Sequence, residues 1–180
     1  MSWTEKHRPQ LINDIIGNHS AKEKSQIAVQ ANKHILLYGS TGTGKTTLAH
    51  CLASHYNKHL VEINASDKRD KESVTDIITR IINNKTLDNK DIIILLDEID
   101  GISGQEDKGG LQEVSRLLDK SHETIILTAN NIWESKYDTL KKKTVTIELK
   151  PLTTEEITYN LFNILRKEHI QLTDETTTLI

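Results

Sequence analysis

Short apolar runs recur along the chain and are separated by longer stretches with helical periodicity. Every position of the run at 92–96 is apolar, which is typical of a strand buried on both faces of a parallel sheet. The runs predict five strands, at residues 35–38, 60–63, 92–96, 124–128 and 144–148.

Helical spacing of apolar residues fills the stretches between these runs. Valine, isoleucine and leucine recur at intervals of three and four residues over 74–82 and again over 111–118, which is the stripe of an amphipathic helix. Because strands and helices alternate, right-handed crossovers between parallel strands are favoured. The pattern therefore predicts an α/β fold with a five-stranded parallel sheet flanked by helices.

The pattern changes near Pro151. Thr153 and Glu156 have the spacing of a capping box, and an apolar helix stripe follows through about Lys167. A further helix start comes at Thr173. We therefore expect an α/β domain over residues 1–150 and the beginning of a truncated helical domain over residues 151–180, in a piece of a longer protein.

A glycine-rich segment follows the first predicted strand and precedes a predicted helix. This is the context that a phosphate-binding P-loop requires, because backbone N–H groups and the helix N-terminus converge on one anion. Lys45 is placed to reach the β- and γ-phosphates, and Thr46 to offer its hydroxyl to Mg²⁺. The predicted phosphate-binding residues are Gly39, Ser40, Thr41, Gly42, Thr43, Gly44, Lys45, Thr46 and Thr47.

Two carboxylates follow the buried run at 92–96. Ligands of parallel α/β folds bind at the carboxyl ends of the strands. Asp97 is therefore predicted to hold Mg²⁺ beside Thr46, and Glu98 to polarise the attacking water. The alternative is that both are ordinary acids at a helix start, and Asp100 is consistent with a simple cap of the next turn.

Asn130 follows the fourth predicted strand. We expect its side chain to point at the γ-phosphate and to hold the water together with Glu98, which completes a catalytic set with Lys45 and Asp97. Because asparagine is common in turns, a plain turn residue is the alternative at this position.

Composition narrows the classes of function. Hydrophobic residues make up 36% and charged residues 27% of the chain, as in a soluble globular protein, and no apolar run approaches a membrane span. The net charge of −3 means that a nucleic-acid contact needs a local basic patch. The single cysteine, Cys51, excludes an internal disulfide and fits a packed core residue. We expect a cytoplasmic protein, or a nuclear one in a eukaryote, with no membrane partner.

The order of P-loop, Asp-Glu-x-Asp and strand-terminal asparagine resembles the AAA+ ATPases. Three segments resemble clamp-loader subunits of the replication factor C family: WTEKHRP at 3–9, EINASDKR at 62–69 and LLDEIDGISGQEDKGG at 95–110. The last is most similar to the large subunit of archaeal type. The resemblance covers nearly the whole chain and implies a P-loop AAA+ fold followed by a helical lid, with ATP and Mg²⁺ as cofactors.

The resemblance also implies roles for single residues. Four of them would lie near the adenine, between the N-terminal segment and the lid: Arg8, Pro9, Ile16 and Gly17. Asn64 would interact with Glu98 as a switch that responds to DNA or nucleotide. Contacts to the DNA backbone would come from Lys68, Arg69, Arg80 and Lys108, with solvated surface charge as the alternative. The helix over 73–82 would meet the sliding clamp or pack into the core.

Two departures from the family change the expected mechanism. His7 stands where the family usually has tyrosine, and residues 140–144 carry lysines where small subunits carry an arginine finger. Because lysine lacks the planar fork of arginine, this chain would receive a finger from a small subunit without giving one. The lid arginine that serves as a second sensor would fall beyond residue 180, so weak hydrolysis is expected of the chain alone.

The leading function is therefore an ATP-binding and ATP-hydrolysing subunit of a DNA sliding-clamp loader. It would work with small subunits to load the clamp onto primer–template DNA during replication. One alternative is another DNA-associated AAA+ motor of branch-migration or initiator type, which the segments at 5–9 and 64–69 disfavour. A second is a nucleotide-binding scaffold without significant hydrolysis, against which the intact set of Lys45, Asp97 and Glu98 argues. A small-molecule kinase is disfavoured, because no acceptor-site or arginine-rich lid pattern is visible.

Overall fold

A five-stranded parallel sheet, in the order β2-β3-β4-β1-β5, forms the centre of the part of the chain that the structure describes. The computed structural model describes residues 3–65, 91–103 and 110–170. The strands are β1 (Ile35–Tyr38), β2 (His59–Asn64), β3 (Ile92–Asp97), β4 (Thr124–Ala129) and β5 (Val145–Glu148). All the predicted strands are confirmed, with ends that differ from the prediction by at most one residue.

Helices cover both faces of the sheet. They are α1 (Trp3–Lys6), α2 (His19–Gln30), α3 (Lys45–His55), α4 (Gly110–Lys120), α5 (Asp138–Lys143) and α6 (Thr154–Lys167). The apolar stripe predicted over 111–118 forms the buried face of α4. The stripe predicted over 74–82 and the helix start predicted at Thr173 lie outside the described residues. None of the described helices has the length and apolar content needed to cross a membrane.

β3 is buried along its apolar length. Its residues from Ile92 to Leu96 are at most 5% exposed, as the uninterrupted apolar run predicts for a central strand. One core layer packs between the sheet and α2 and α3, and the other packs against α4 and α5. Each buried leucine or isoleucine stabilises the fold by about 1.5–3 kcal/mol. Burial on both faces therefore holds the carboxyl end of β3 in a fixed position.

Cys51 lies in this core, as predicted, and is 1% exposed. Its thiol donates a hydrogen bond to the carbonyl oxygen of Pro9 at 3.3 Å, which ties α3 to the N-terminal segment. Burial raises the pKa of the Cys51 thiol. A thiol with a raised pKa carries little thiolate at neutral pH, so the residue packs and does not act as a nucleophile.

The capping box predicted at Thr153 and Glu156 is present and begins α6. The Oγ1 atom of Thr153 accepts a hydrogen bond from the backbone N–H of Glu156 at 3.2 Å. In return, Oε2 of Glu156 accepts one from the backbone N–H of Thr153 at 2.9 Å. Two N–H groups that the helix itself leaves unpaired are thereby satisfied, which sets the first turn of α6.

Two contacts seat the start of α6 against the N-terminal segment. The side chain of Asn18 and the backbone of Lys150 exchange hydrogen bonds of 2.9 and 2.8 Å. Gly17 has a φ of +66°, and a Cβ atom added to it would lie 2.7 Å from Cδ2 of Leu152. A side chain at this position would push the two segments apart, so Gly17 has a packing role that the sequence did not indicate.

A third contact joins α1 to the far end of α6. The carboxylate of Glu168 accepts a hydrogen bond from Nζ of Lys6 at 2.8 Å and lies 2.5 Å from Nε2 of His7. These hydrogen bonds from Lys6 and His7 lower the pKa of Glu168, because both favour its charged form. His7 thus bridges the two ends of the described chain.

Replacing Glu168 by glutamine is expected to lower stability in a pH-dependent way. A carboxylate whose pKa is lowered by folding stabilises the folded state above its unfolded pKa, about 4.3, and loses that contribution as the pH falls through the folded pKa. The variant should unfold at a lower urea concentration than the wild type at pH 7, and the difference should narrow below about pH 5.

Urea unfolding followed by circular dichroism at a series of pH values measures this difference. Glu23→Gln, which removes an exposed carboxylate from α2, is the matched control and should leave the midpoint unchanged. Equal midpoints for Glu168→Gln and the wild type at pH 7 would show that the contact does not stabilise the fold.

Candidate active site

The predicted P-loop connects the end of β1 to the start of α3. Lys45 is the first residue of α3, so the loop opens directly onto a helix N-terminus. Gly39 has a φ of +147°, and a Cβ atom added there would lie 2.1 Å from the carbonyl oxygen of Leu149. Because no side chain fits in that gap, glycine is required for the loop to turn beside the end of β5. The strand–loop–helix context of the motif is therefore confirmed.

The ammonium group of Lys45 is held at the centre of this loop. Its Nζ atom donates hydrogen bonds to the carbonyl oxygens of Gly39 at 2.7 Å and Ser40 at 3.1 Å. A third goes to Oδ1 of Asn130 at 3.0 Å. Burial lowers the pKa of Lys45, and the negative charges of the neighbouring aspartate and glutamate side chains oppose that shift. A partly desolvated cation of this kind is suited to bind an anion.

Thr46 and Asp97 meet across the site, as predicted. The Oγ1 atom of Thr46 lies 3.1 and 3.0 Å from the two carboxylate oxygens of Asp97. A carboxylate and a hydroxyl side by side match the oxygen ligands that Mg²⁺ prefers, with water and phosphate oxygens completing its octahedron. The donor set therefore fits the predicted metal, with Thr46 and Asp97 as the residues that would hold it.

Thr128 organises both predicted carboxylate residues, and the sequence analysis did not single it out. Its Oγ1 atom donates a hydrogen bond to Oδ1 of Asp97 at 2.5 Å and accepts one from the backbone N–H of Glu98 at 2.9 Å. Thr128 is fully buried in β4. The signal in the sequence was a hydroxyl inside an apolar strand, but threonine is also an ordinary strand residue.

Glu98 adopts a left-handed backbone conformation, with a φ of +56°. Such a conformation is uncommon outside glycine and costs about 1–3 kcal/mol, so it persists only where the surroundings hold it. The hydrogen bond from its N–H to Thr128 supplies part of that support. The turn leaves the Glu98 side chain exposed on the wall of the cavity beside the P-loop.

Asp100 does more than cap a turn. Its Oδ2 atom accepts a hydrogen bond from the backbone N–H of Asn130 at 2.6 Å, and its Oδ1 atom accepts one from the hydroxyl of Tyr137 at 3.2 Å. The side chain of Asn130 in turn contacts Lys45 and lies 3.4 Å from Oγ1 of Thr41. Asn130 is thereby positioned at the P-loop, while its role toward a γ-phosphate stays a prediction.

Two adjoining cavities follow the P-loop. The first, of about 260 Å³, is lined by the loop and by the side chains at the ends of β3 and β4. The second, of about 450 Å³, lies between the N-terminal segment, the P-loop and α6. Both are lined by Arg8, Gly42, Gly44 and Thr47. Together they form a crevice that runs from the ends of β3 and β4 past the P-loop to α6.

Three of the four residues predicted to lie near the adenine line the second cavity: Arg8, Pro9 and Ile16. Gly17 instead packs against the start of α6, so its role near the base stays a prediction. A larger cavity, of about 560 Å³, lies between α2, β5 and the start of α6 and contains none of the predicted site residues.

The structure leaves several other predicted residues untested. Asn64 is the last residue of β2 and pairs in register with Asp97, but its predicted interaction with Glu98 stays a prediction. The proposed DNA contacts lie outside the described residues: Lys68, Arg69, Arg80 and Lys108.

Two lysines of the segment 140–144, where the resemblance led us to expect no arginine finger, are engaged within the chain. Nζ of Lys143 contacts Oγ of Ser115 at 2.7 Å and the Asp119 carboxylate at 2.6 Å. Nζ of Lys141 pairs with Asp138 at 2.7 Å and donates a hydrogen bond to the carbonyl oxygen of Ile132 at 3.2 Å. Both ammonium groups therefore brace α5 against its neighbours.

Curated relatives extend along nearly the whole chain. The replication factor C large subunit of Methanococcus vannielii is 35% identical over 184 residues, which cover 99% of this chain and 37% of that protein. That of Thermofilum pendens is 39% identical over 181 residues, which cover 96% of this chain and 44% of that protein. The chain thus spans less than half the length of these relatives.

Solved structures with a similar fold include the RuvB Holliday junction branch migration motor of Thermotoga maritima. It superimposes with a TM-score of 0.68 at 19% identity, over 93% of this chain and 56% of that one. A RuvB variant gives a TM-score of 0.73 at 19% identity, over 94% and 58% of the two chains. At this identity the likeness shows the fold alone.

A family model provides the last comparison. The model described as ATPase family associated with various cellular activities (AAA) matches residues 35–150. The matched segment begins with β1 and the P-loop and runs to the end of β5, so it includes every strand of the sheet and all the side chains that meet at Asp97. The chain belongs to the AAA family of ATPases.

Proposed function

We propose that this chain is the ATPase part of a large subunit of a DNA sliding-clamp loader, and that it binds and hydrolyses ATP with Mg²⁺. The observation that carries the ATPase proposal is the convergence of Lys45, Thr46, Asp97 and Glu98 on one crevice beside the P-loop. The clamp-loader proposal is supported by 35–39% identity to replication factor C large subunits along nearly the whole chain.

The chemistry divides among these side chains. Lys45 would exchange its carbonyl partners for phosphate oxygens and offset the charge that develops on the transferred phosphoryl group. When bound, Mg²⁺ supplies charge neutralisation at the phosphate oxygens. Glu98 would polarise the attacking water, and the Asn130 carboxamide would help to hold it.

The proposed partners are those that the similarity to replication factor C large subunits implies. The site would be completed by an arginine finger from a small subunit. This chain would give none in return, since Lys141 and Lys143, which stand where small subunits carry the finger, are engaged within the chain. In related P-loop systems such a finger accelerates hydrolysis by about 10³–10⁵-fold. Primer–template DNA and the sliding clamp complete the proposed assembly, which would work in the cytoplasm. The proposed DNA contacts are Lys68, Arg69, Arg80 and Lys108.

Residues 1–150 would form the nucleotide-binding domain, and residues 151–180 would form the beginning of the lid.

A branch-migration motor is the second candidate, because the RuvB motor has the same fold. Identity separates the two: 19% to RuvB against 35–39% to replication factor C large subunits. The decisive test is co-purification of the full-length protein with small subunits and a sliding clamp, followed by an assay of clamp loading onto primed DNA. Branch migration by the purified assembly without clamp loading would favour the second candidate.

Lys45→Ala is expected to weaken ATP binding by about 10- to 100-fold, because charge-assisted hydrogen bonds to the phosphates are lost. Isothermal titration calorimetry measures the affinity. Lys33→Ala, which removes an exposed lysine before β1, is the control and should bind like the wild type. Near-normal affinity in Lys45→Ala would refute the P-loop assignment.

Glu98→Gln is expected to bind ATP but to hydrolyse it at least about 100-fold more slowly, because the amide cannot act as the base. The measurement is steady-state hydrolysis by the full-length protein assembled with small subunits, where the finger is present. The wild-type rate should rise as small subunits are titrated in. Unchanged turnover in the variant would exclude Glu98 as the base, and a wild-type rate that ignores the small subunits would exclude the trans finger.

Thr128→Val is expected to reduce hydrolysis by about tenfold or more and to raise the Mg²⁺ concentration needed for half-maximal activity. The change keeps the shape of the residue but removes the hydrogen bonds to Asp97 and to the Glu98 N–H, and each is worth about 1 kcal/mol or more. Magnesium titrations of ATPase activity in the assembled complex measure both effects.

Thr124→Val is the matched control for Thr128→Val. Thr124 lies in the same strand, is fully buried, and its hydroxyl oxygen has no hydrogen-bond partner among the described residues. Its replacement should leave hydrolysis unchanged and leave stability equal or slightly higher. If both variants lose activity alike, the effect belongs to strand packing and not to the Thr128 hydroxyl.

A further inference from the structure

The second cavity of the crevice has two unlike walls. One wall is the N-terminal segment, with Pro9, Ile15 and Ile16, and the other is α6, with Ile164. Apolar side chains on opposite sides of a slot can hold a flat ring between them, while the selection among rings needs polar groups. The polar groups of this cavity therefore decide which base it accepts.

α6 presents two asparagines to this cavity. Asn160 and Asn163 are three residues apart on the helix, so they lie on one face, one turn from each other. Both are half-buried. Neither carboxamide has a hydrogen-bond partner within residues 3–65, 91–103 and 110–170. Both carboxamides therefore keep their donor and acceptor atoms available to water or to a ligand in the cavity.

The position of these amides sets them apart from the side chains beside Asp97 and Thr128. The phosphate-facing side of the crevice is built from the P-loop, Asp97 and Thr128, and neither asparagine lines that cavity. The second cavity joins it through Gly42, Gly44 and Thr47. A nucleotide with its phosphates on the P-loop would therefore extend its base and ribose toward α6.

We propose that the carboxamides of Asn160 and Asn163 select adenine over guanine in this cavity. The inference rests on the proposed binding of ATP and names two specificity-determining residues for it. A carboxamide carries a donor and an acceptor side by side. On its N7 edge adenine offers the matching pair, the N6 amine next to the N7 acceptor, whereas guanine presents two acceptors there, O6 and N7, and leaves one end of the carboxamide unpaired.

The test compares the affinities of four ligands for the 180-residue chain: ATP, GTP, 2′-deoxy-ATP and inorganic tripolyphosphate. The variant is the double change Asn160→Leu and Asn163→Leu, which keeps the approximate size and removes the hydrogen-bonding groups. Thr158→Val is the control, since Thr158 is on the same helix but does not line the cavity. Calorimetry gives the four dissociation constants for each protein.

The wild type should prefer ATP to GTP. The double variant should lose about 5- to 150-fold in affinity for ATP, and equally for 2′-deoxy-ATP, while its affinities for GTP and tripolyphosphate stay within about twofold. An unchanged ratio of ATP to GTP affinity would overturn the inference. A loss of affinity for ATP without an equal loss for 2′-deoxy-ATP would also overturn the inference, because the amides would then bind the ribose.

Tripolyphosphate separates this inference from the proposed function. A wild type that binds tripolyphosphate and both nucleotides without preference would overturn base selection and leave the P-loop function intact. A wild type that binds none of the four ligands would refute the proposed function itself. If the double leucine variant also loses affinity for tripolyphosphate, a double variant with Asn160→Asp and Asn163→Asp is measured in its place. They keep size and polarity but lack the donor, and should still lower the ratio of ATP to GTP affinity.

Discussion

The hydroxyl group of Thr128 connects β4 to the end of β3, and the geometry of the active site depends on this connection. One oxygen atom donates to the Asp97 carboxylate and accepts the N–H of Glu98. The two acidic residues therefore share a single anchor, although one faces Thr46 and the other opens onto the cavity. The backbone of Glu98 can hold its left-handed conformation because a buried neighbour fixes it from the adjacent strand.

This anchor is rigid because both strands are. β3 and β4 are parallel neighbours whose apolar residues are almost completely inaccessible to solvent. A side chain at the end of such a strand has few alternative positions, so its polar groups are preorganised before any ligand arrives. The buried aliphatic runs thus do more than stabilise the fold, because they also set the positions of the atoms that would meet the phosphates and the metal.

The sequence predicted the parts of the site that depend on local pattern. Apolar runs placed all the described strands, and the glycine spacing placed the P-loop, because both follow from neighbours along the chain. The sequence analysis assigned no role to Thr128 and only a capping role to Asp100, because the partners of both residues lie about thirty residues away in the sequence. Their roles depend on strand register and on the path of the chain after β4, which a hydrophobic pattern does not specify.

The same limit applies to the walls of the second cavity, which lies between the N-terminal segment, the P-loop and α6. Three separate contacts tie α6 to the N-terminal segment: Asn18 to Lys150, Gly17 to Leu152, and Glu168 to Lys6 and His7. A nucleotide that touched both walls would favour the arrangement in which they are joined, by as much as its affinity differs between the joined and parted states. Since α6 would begin the lid, occupancy of the crevice and the orientation of the lid would be linked. If the finger comes from a neighbouring subunit, as proposed, that link would carry information about bound ATP to the rest of the assembly.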